Sequence, residues 1–125
     1  MKEALTLDFC ELRIYDFYAI VVVNEGVDVT YEQNKELLEL SETYFKDTPF
    51  VYISIRVNSY SVDPKVYYQT ARVETLKGVA VVSNRYLAKT NAQLEKMFFS
   101  KPFEIFSELD DAIEWADKLI NGDKE

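Results

Sequence analysis

Phe50-Val51-Tyr52-Ile53-Ser54-Ile55-Arg56-Val57-Asn58-Ser59-Tyr60-Ser61-Val62-Asp63-Pro64 is the stretch whose reading decides the fold. Its first half is apolar and β-branched, the composition of a strand covered on both faces. Its end, Asp63-Pro64, reads as a helix start: aspartate suits the N-cap and proline the first helical position. Between them, Asn58 to Ser61 crowd polar side chains into a strand-to-helix junction, where they serve either the turn or a partner. A strand feeding a helix in this way is half of a β-α unit.

Upstream, Leu5, Leu7 and Phe9 alternate, and Leu12 and Ile14 alternate in the opposite parity, which predicts a turn or bulge near Cys10-Glu11. Phe17 to Val23 is a continuous strand run, so the chain opens as an antiparallel meander. Thr30 with Gln33 is a capping-box pattern. Leu37, Leu38, Ser41, Tyr44 and Phe45 recur at helical spacing behind it, predicting a helix over 31–46 that Asp47-Thr48-Pro49 stops.

Downstream, Val66, Tyr67, Thr70 and Ala71 form the inner stripe of the helix that Asp63-Pro64 begins. Val79 to Val82 is a short strand. Leu87, Thr90, Leu94, Met97 and Phe98 lie in register on the next helix, and we expect that stripe to face the core. Phe103 to Phe106 is the last strand. Ser107 with Asp110 resembles a capping box, and Leu109, Ala112, Ile113, Ala116, Leu119 and Ile120 make a clean amphipathic stripe ending at Gly122. The expectation is one α/β domain over 1–125: an open mixed sheet, antiparallel N-terminal strands followed by parallel β-α units, and four helices.

Composition narrows the chemistry. The chain has 125 residues, 48% of them hydrophobic, enough for a substantial core. It has no histidine, which removes a Ser-His-Asp triad and the commonest transition-metal ligand. The lone Cys10 forms no internal disulfide and no paired-cysteine metal site. A net charge of −8, with no Lys/Arg stripe in the sequence, argues against nucleic-acid binding. No apolar run approaches the roughly 20 residues of a membrane span, and Met1-Lys2-Glu3-Ala4 lacks a signal pattern, so the expected location is the cytoplasm. No cofactor and no metal site are expected.

Ligands of parallel α/β sheets bind beyond the carboxyl ends of the strands. That edge collects Asn24, the loop of Asn58, Ser59, Tyr60 and Ser61, and Arg85, with Ser83, Asn84 and Ser107 nearby in sequence. Helix capping and turn chemistry account for most of these residues. The excess of polar groups in Asn58 to Asp63 is what points to a binding surface. Trp115, off its helix's main stripe, either widens that stripe or anchors a partner.

The Val51–Val57 strand entering Asn58-Ser59-Tyr60-Ser61, the segment Lys77-Gly78-Val79-Ala80-Val81-Val82-Ser83, and the ending Lys101-Pro102-Phe103-Glu104-Ile105-Phe106 with Asp110-Asp111-Ala112-Ile113-Glu114-Trp115 resemble small STAS-like proteins, also called SpoIIAA-like or STAS/SEC14-type proteins of bacteria. The resemblance implies a non-enzymatic regulatory module with a protein partner. Anti-sigma-factor antagonists of this fold carry a serine at the start of the helix after a central strand, and its phosphorylation switches partner binding. Ser59 or Ser61 is the implied counterpart, although Asn58-Ser59-Tyr60-Ser61 departs from the family's Asp-Ser-Ser-Gly. The resemblance also reaches lipid-binding relatives. In that alternative a lipid-like ligand lies in an apolar cavity, and Met97, Phe98 and Phe99 belong to the helix that opens it. A carboxylate or tyrosine enzyme using Glu25, Tyr60 and Arg85 is a third reading, disfavoured by the missing histidine. A free edge on the first strand would pair two copies into a homodimer.

Overall fold

The computed structural model describes residues 2–57 and 62–122. Its order is β1 (Glu3–Thr6), β2 (Cys10–Ile14), β3 (Tyr18–Val23), α1 (Tyr31–Phe45), β4 (Phe50–Ile55), α2 (Val66–Thr70), β5 (Leu76–Val82), α3 (Tyr86–Lys96), β6 (Phe103–Phe106) and α4 (Leu109–Asn121). The six strands form one sheet in chain order. β1-β2 and β2-β3 are antiparallel; β3-β4, β4-β5 and β5-β6 are parallel. The expected mixed sheet with four helices is what forms.

The parity change near Cys10 is a hairpin rather than a bulge. Leu7 N–H closes the turn on Cys10 C=O at 2.8 Å, and β2 then runs Cys10, Leu12, Ile14 into the core. α1 begins where the sequence marks it: Gln33 N–H donates to Thr30 Oγ1 at 3.2 Å and Thr30 N–H to Gln33 Oε1 at 3.1 Å. α2 is shorter than its stripe suggests. Asp63 Oδ1 accepts from Lys65 N–H at 3.0 Å, so Asp63-Pro64 opens a tight turn and the α-helix starts only at Val66. Ser107 does not cap α4, whose N-cap is Glu108.

Parallel strands laid side by side in chain order, with crossovers of one hand, put every crossover on the same side. Accordingly α1, α2 and α3 share one face, where Leu12, Val21, Tyr52, Val79 and Phe103 meet Leu37, Val66, Tyr67 and Ala92. α4 follows the last strand and covers the other face, setting Ala112 and Ala116 against Ile20, Val51, Ile53 and Ala80. Gly78 permits that approach: a Cβ there would lie 2.7 Å from Leu119 Cδ2 and 3.1 Å from Trp115 Cη2. Trp115 widens the α4 stripe, half-buried, with its ring centroid 5.8 Å from that of Phe106.

α3 departs from its expected orientation. Leu87, Leu94 and Met97 are exposed, whereas Ala88, Ala92 and Glu95 face the sheet. Two alanines let the helix approach closely, and the approach brings Glu95 to a partner inside.

Candidate functional site

Tyr52, Ser54 and Arg56 alternate along and just beyond β4, so all three project to the α1–α3 side. Arg56 is 2% exposed, and so is Glu95, which reaches it from α3. Arg56 Nη1 donates to Glu95 Oε2 at 2.6 Å and Nη2 to Oε1 at 2.5 Å, a two-pronged pair. Tyr67 Oη, from α2, donates to Glu95 Oε1 at 2.6 Å and accepts from Arg56 Nη2 at 3.3 Å. One sheet strand and two helices thus meet at a single buried ion pair. Next to it Asn34 of α1 donates through Nδ2 to Gln69 Oε1 at 2.9 Å and Thr70 Oγ1 at 3.0 Å, tying α1 to α2. A small cavity of about 30 Å³ lies among Val21, Tyr52, Ser54, Arg56, Tyr67 and Val79. That is room for about two waters.

The carboxyl edge of the sheet carries a second, open feature. After β5 the chain turns toward the α3 face; after β6 it turns toward the α4 face. The two connections diverge, and diverging connections leave a crevice at the strand ends. A depression of about 250 Å³ occupies that place, lined by Val57, Val82, Ser83, Asn84, Arg85 and Ser107 among others. Arg85 N–H donates to Ser83 Oγ at 3.1 Å, which sets the start of α3. Lys89 Nζ donates to Ser107 Oγ at 2.6 Å and links the two sides.

The sequence-derived candidates divide accordingly. Arg85 lines the crevice with Asn84 and Ser107. Asn24 follows the end of β3, and its Nδ2 donates to Asp8 C=O in the β1-β2 turn at 3.2 Å. Asn58, Ser59, Tyr60 and Ser61 lie outside the described residues. Met97 is exposed, Phe98 is half-buried, and Phe99 packs in the core against Tyr67 and Phe103. Arg56, near the edge in sequence, makes its two-pronged anion contact internally with Glu95. Sequence reading passed over Glu95, Tyr67 and Asn34. The available signal was Glu95 sharing one helical arc with Ala88 and Ala92, a small-residue arc suited to close packing. Among the described residues no group of three or more His, Cys, Asp or Glu side chains is placed to hold a metal ion. No described helix is long and apolar enough to cross a membrane.

No protein-family model and no curated protein matches the chain. Among solved structures, it is similar to an uncharacterized protein of the DUF3478 family with a SpoIIAA-like fold, from Shewanella loihica PV-4. The two are 18% identical, with a TM-score of 0.57, over 86% of this chain and 91% of the other. The likeness, together with the sheet order and helix placement, establishes a SpoIIAA-like fold.

Proposed function

We propose that this chain is a non-enzymatic interaction module that binds a protein partner at the carboxyl edge of its sheet. The observation that carries the reading is the crevice between the β5 and β6 connections, where Asn84, Arg85 and Ser107 converge. It is open, and its polar side chains beside Val57 and Val82 are suited to recognition, without an enclosure that would shield a reaction from water. Asn58, Ser59, Tyr60 and Ser61 follow β4 in the sequence and belong to the same reading. Phosphate on Ser59 or Ser61 would add a charge of about −1.5 to −2 and alter the contact. A photo-crosslinking residue placed at Asn84 or Ser107 should capture one partner in the native host that a probe at Glu39, on the outer side of α1, does not. Equal capture at all three positions, or none at the first two, removes the reading. Alanine or aspartate at Ser59 and Ser61 should change the yield; identical yields remove the phosphoswitch.

A second reading, a binder of a lipid-like ligand, has the small cavity beside Arg56 in its favour. At about 30 Å³ it falls far below the several hundred Å³ of typical ligand pockets. Binding there requires α3 to move outward, carrying the chain from Met97 to Phe99. Organic extraction of native protein should then release a stoichiometric acid or lipid, and a clean extract refutes it.

A further inference from the structure

α3 is amphipathic with its apolar side outward. Tyr86 is 85% exposed, Leu87 54%, Leu94 53% and Met97 80%. At about 100° per residue, these positions fall within a single arc of about 100°. The core-facing arc holds Ala88, Ala92 and Glu95. Surface helices ordinarily show the reverse, and α1 and α4 do, with Leu37, Leu38 and Phe45, and Ala112 and Ala116, turned inward. Beside the α3 ridge runs a groove of about 200 Å³ lined by Val62, Pro64, Asn91, Leu94 and Glu95.

The charge along this segment is also inverted. Residues 84–102 contain Arg85, Lys89, Lys96 and Lys101 and one acid, Glu95, a local +3 in a chain of −8. Glu95 is buried against Arg56 and contributes nothing to the surface. Lys96 stands 3.6 Å from Glu104; Arg85 and Lys89 have no acidic partner among the described residues. Arg85, Lys89 and Lys96 fall on the flank of the apolar arc opposite the groove. An apolar ridge with a concave slot on one side and cations on the other complements a segment that is apolar on one side and acidic on the next. A bilayer has no use for the slot, and the acidic remainder of the chain is repelled by anionic lipid.

We infer that the outer face of α3 is a docking surface for an acidic, amphipathic segment of another protein, which seats an apolar side chain in the Val62–Pro64–Leu94 groove and sets its carboxylates on Arg85 and Lys89. The inference rests on the interaction-module reading and names the partner's chemistry. A random-peptide phage library panned on the intact protein tests it. Enriched peptides should carry spaced apolar residues interleaved with Asp or Glu. Leu94→Asp and Met97→Asp should each weaken a synthetic consensus peptide about tenfold or more, and added salt should weaken it further. Arg85→Glu with Lys89→Glu should select basic peptides instead. All four side chains lie outside the core, and unchanged circular dichroism and melting confirm the fold. Enrichment of peptides without acids, or no enrichment, overturns the inference. Binding lost on Ser107→Glu but indifferent to the α3 changes also overturns it, while leaving the crevice and the module reading intact. Two further results would overturn it: sedimentation with phosphatidylserine vesicles in place of peptide binding, or a concentration-dependent dimer abolished by Leu94→Asp.

Discussion

Removing either member of the Arg56–Glu95 pair should cost more than removing both. The two side chains are 1% and 3% exposed. Glu95→Ala deletes both bonds from Arg56 and the one from Tyr67 Oη, and leaves a guanidinium inside the protein. Breaking such a pair from one side costs about 3–5 kcal/mol, because the remaining charge keeps its desolvation penalty and loses the opposite charge that offsets it. Set against a domain stability of about 5–15 kcal/mol, that is a third or more of the total in many cases. Arg56→Met with Glu95→Leu replaces the pair by apolar bulk, and such exchanges are near neutral or stabilising. Tyr67→Phe, which removes one hydroxyl bonded to two charged groups, should cost about 1.5–3 kcal/mol. Urea denaturation with linear extrapolation, compared at equal slopes, measures these variants and the single changes Arg56→Met and Glu95→Leu. Single changes costing under about 1 kcal/mol would place the pair in the class of exposed ion pairs. A double change costing the sum of the singles would show no coupling. Either result refutes the claim that this pair, rather than apolar contact, seats α3.

Other expectations follow from the packing and the titration of single residues. Gly78→Ala drives a methyl to 2.7 Å from Leu119 and should destabilise by about 1–3 kcal/mol in the same assay, whereas a neutral result would mean that α4 shifts freely. Thr30→Ala removes the α1 capping box and should cost about 1 kcal/mol. Cys10 is buried, and its thiol is pushed up to about 12, first by burial and then by Glu36. Native protein at pH 8 should therefore resist thiol reagents until it unfolds; prompt labelling would refute the burial. Because the folded-state value is raised above the ordinary 9.0, this contribution is intact below pH 9 and is lost between 9 and about 12. The loss is about 1.4 kcal/mol per pH unit, and a Cys10→Ala variant should lack that increment.

The opening meander, the α1 capping box, the alternation of strands and helices and the Ala112–Ala116 stripe of α4 were all legible in the residues, because each depends on neighbours a few positions apart. Those local patterns determined the class of fold, an open mixed sheet with four helices. They also placed Arg85 and Ser107 at the carboxyl edge. The orientation of α3 was not legible. Periodicity marks two faces on a helix, and Leu87, Leu94 and Met97 make the more hydrophobic one, yet the less hydrophobic face is buried. That choice depends on Arg56, 39 residues before Glu95, arriving at the end of β4 where the alanines of α3 let the carboxylate reach it. A buried charge is stable only beside its partner, and only the tertiary structure brings the partner there. The same inward turn of Glu95 leaves Leu87 and Leu94 in solvent, so the packing, not the sequence pattern, made the outer face of α3 a candidate surface.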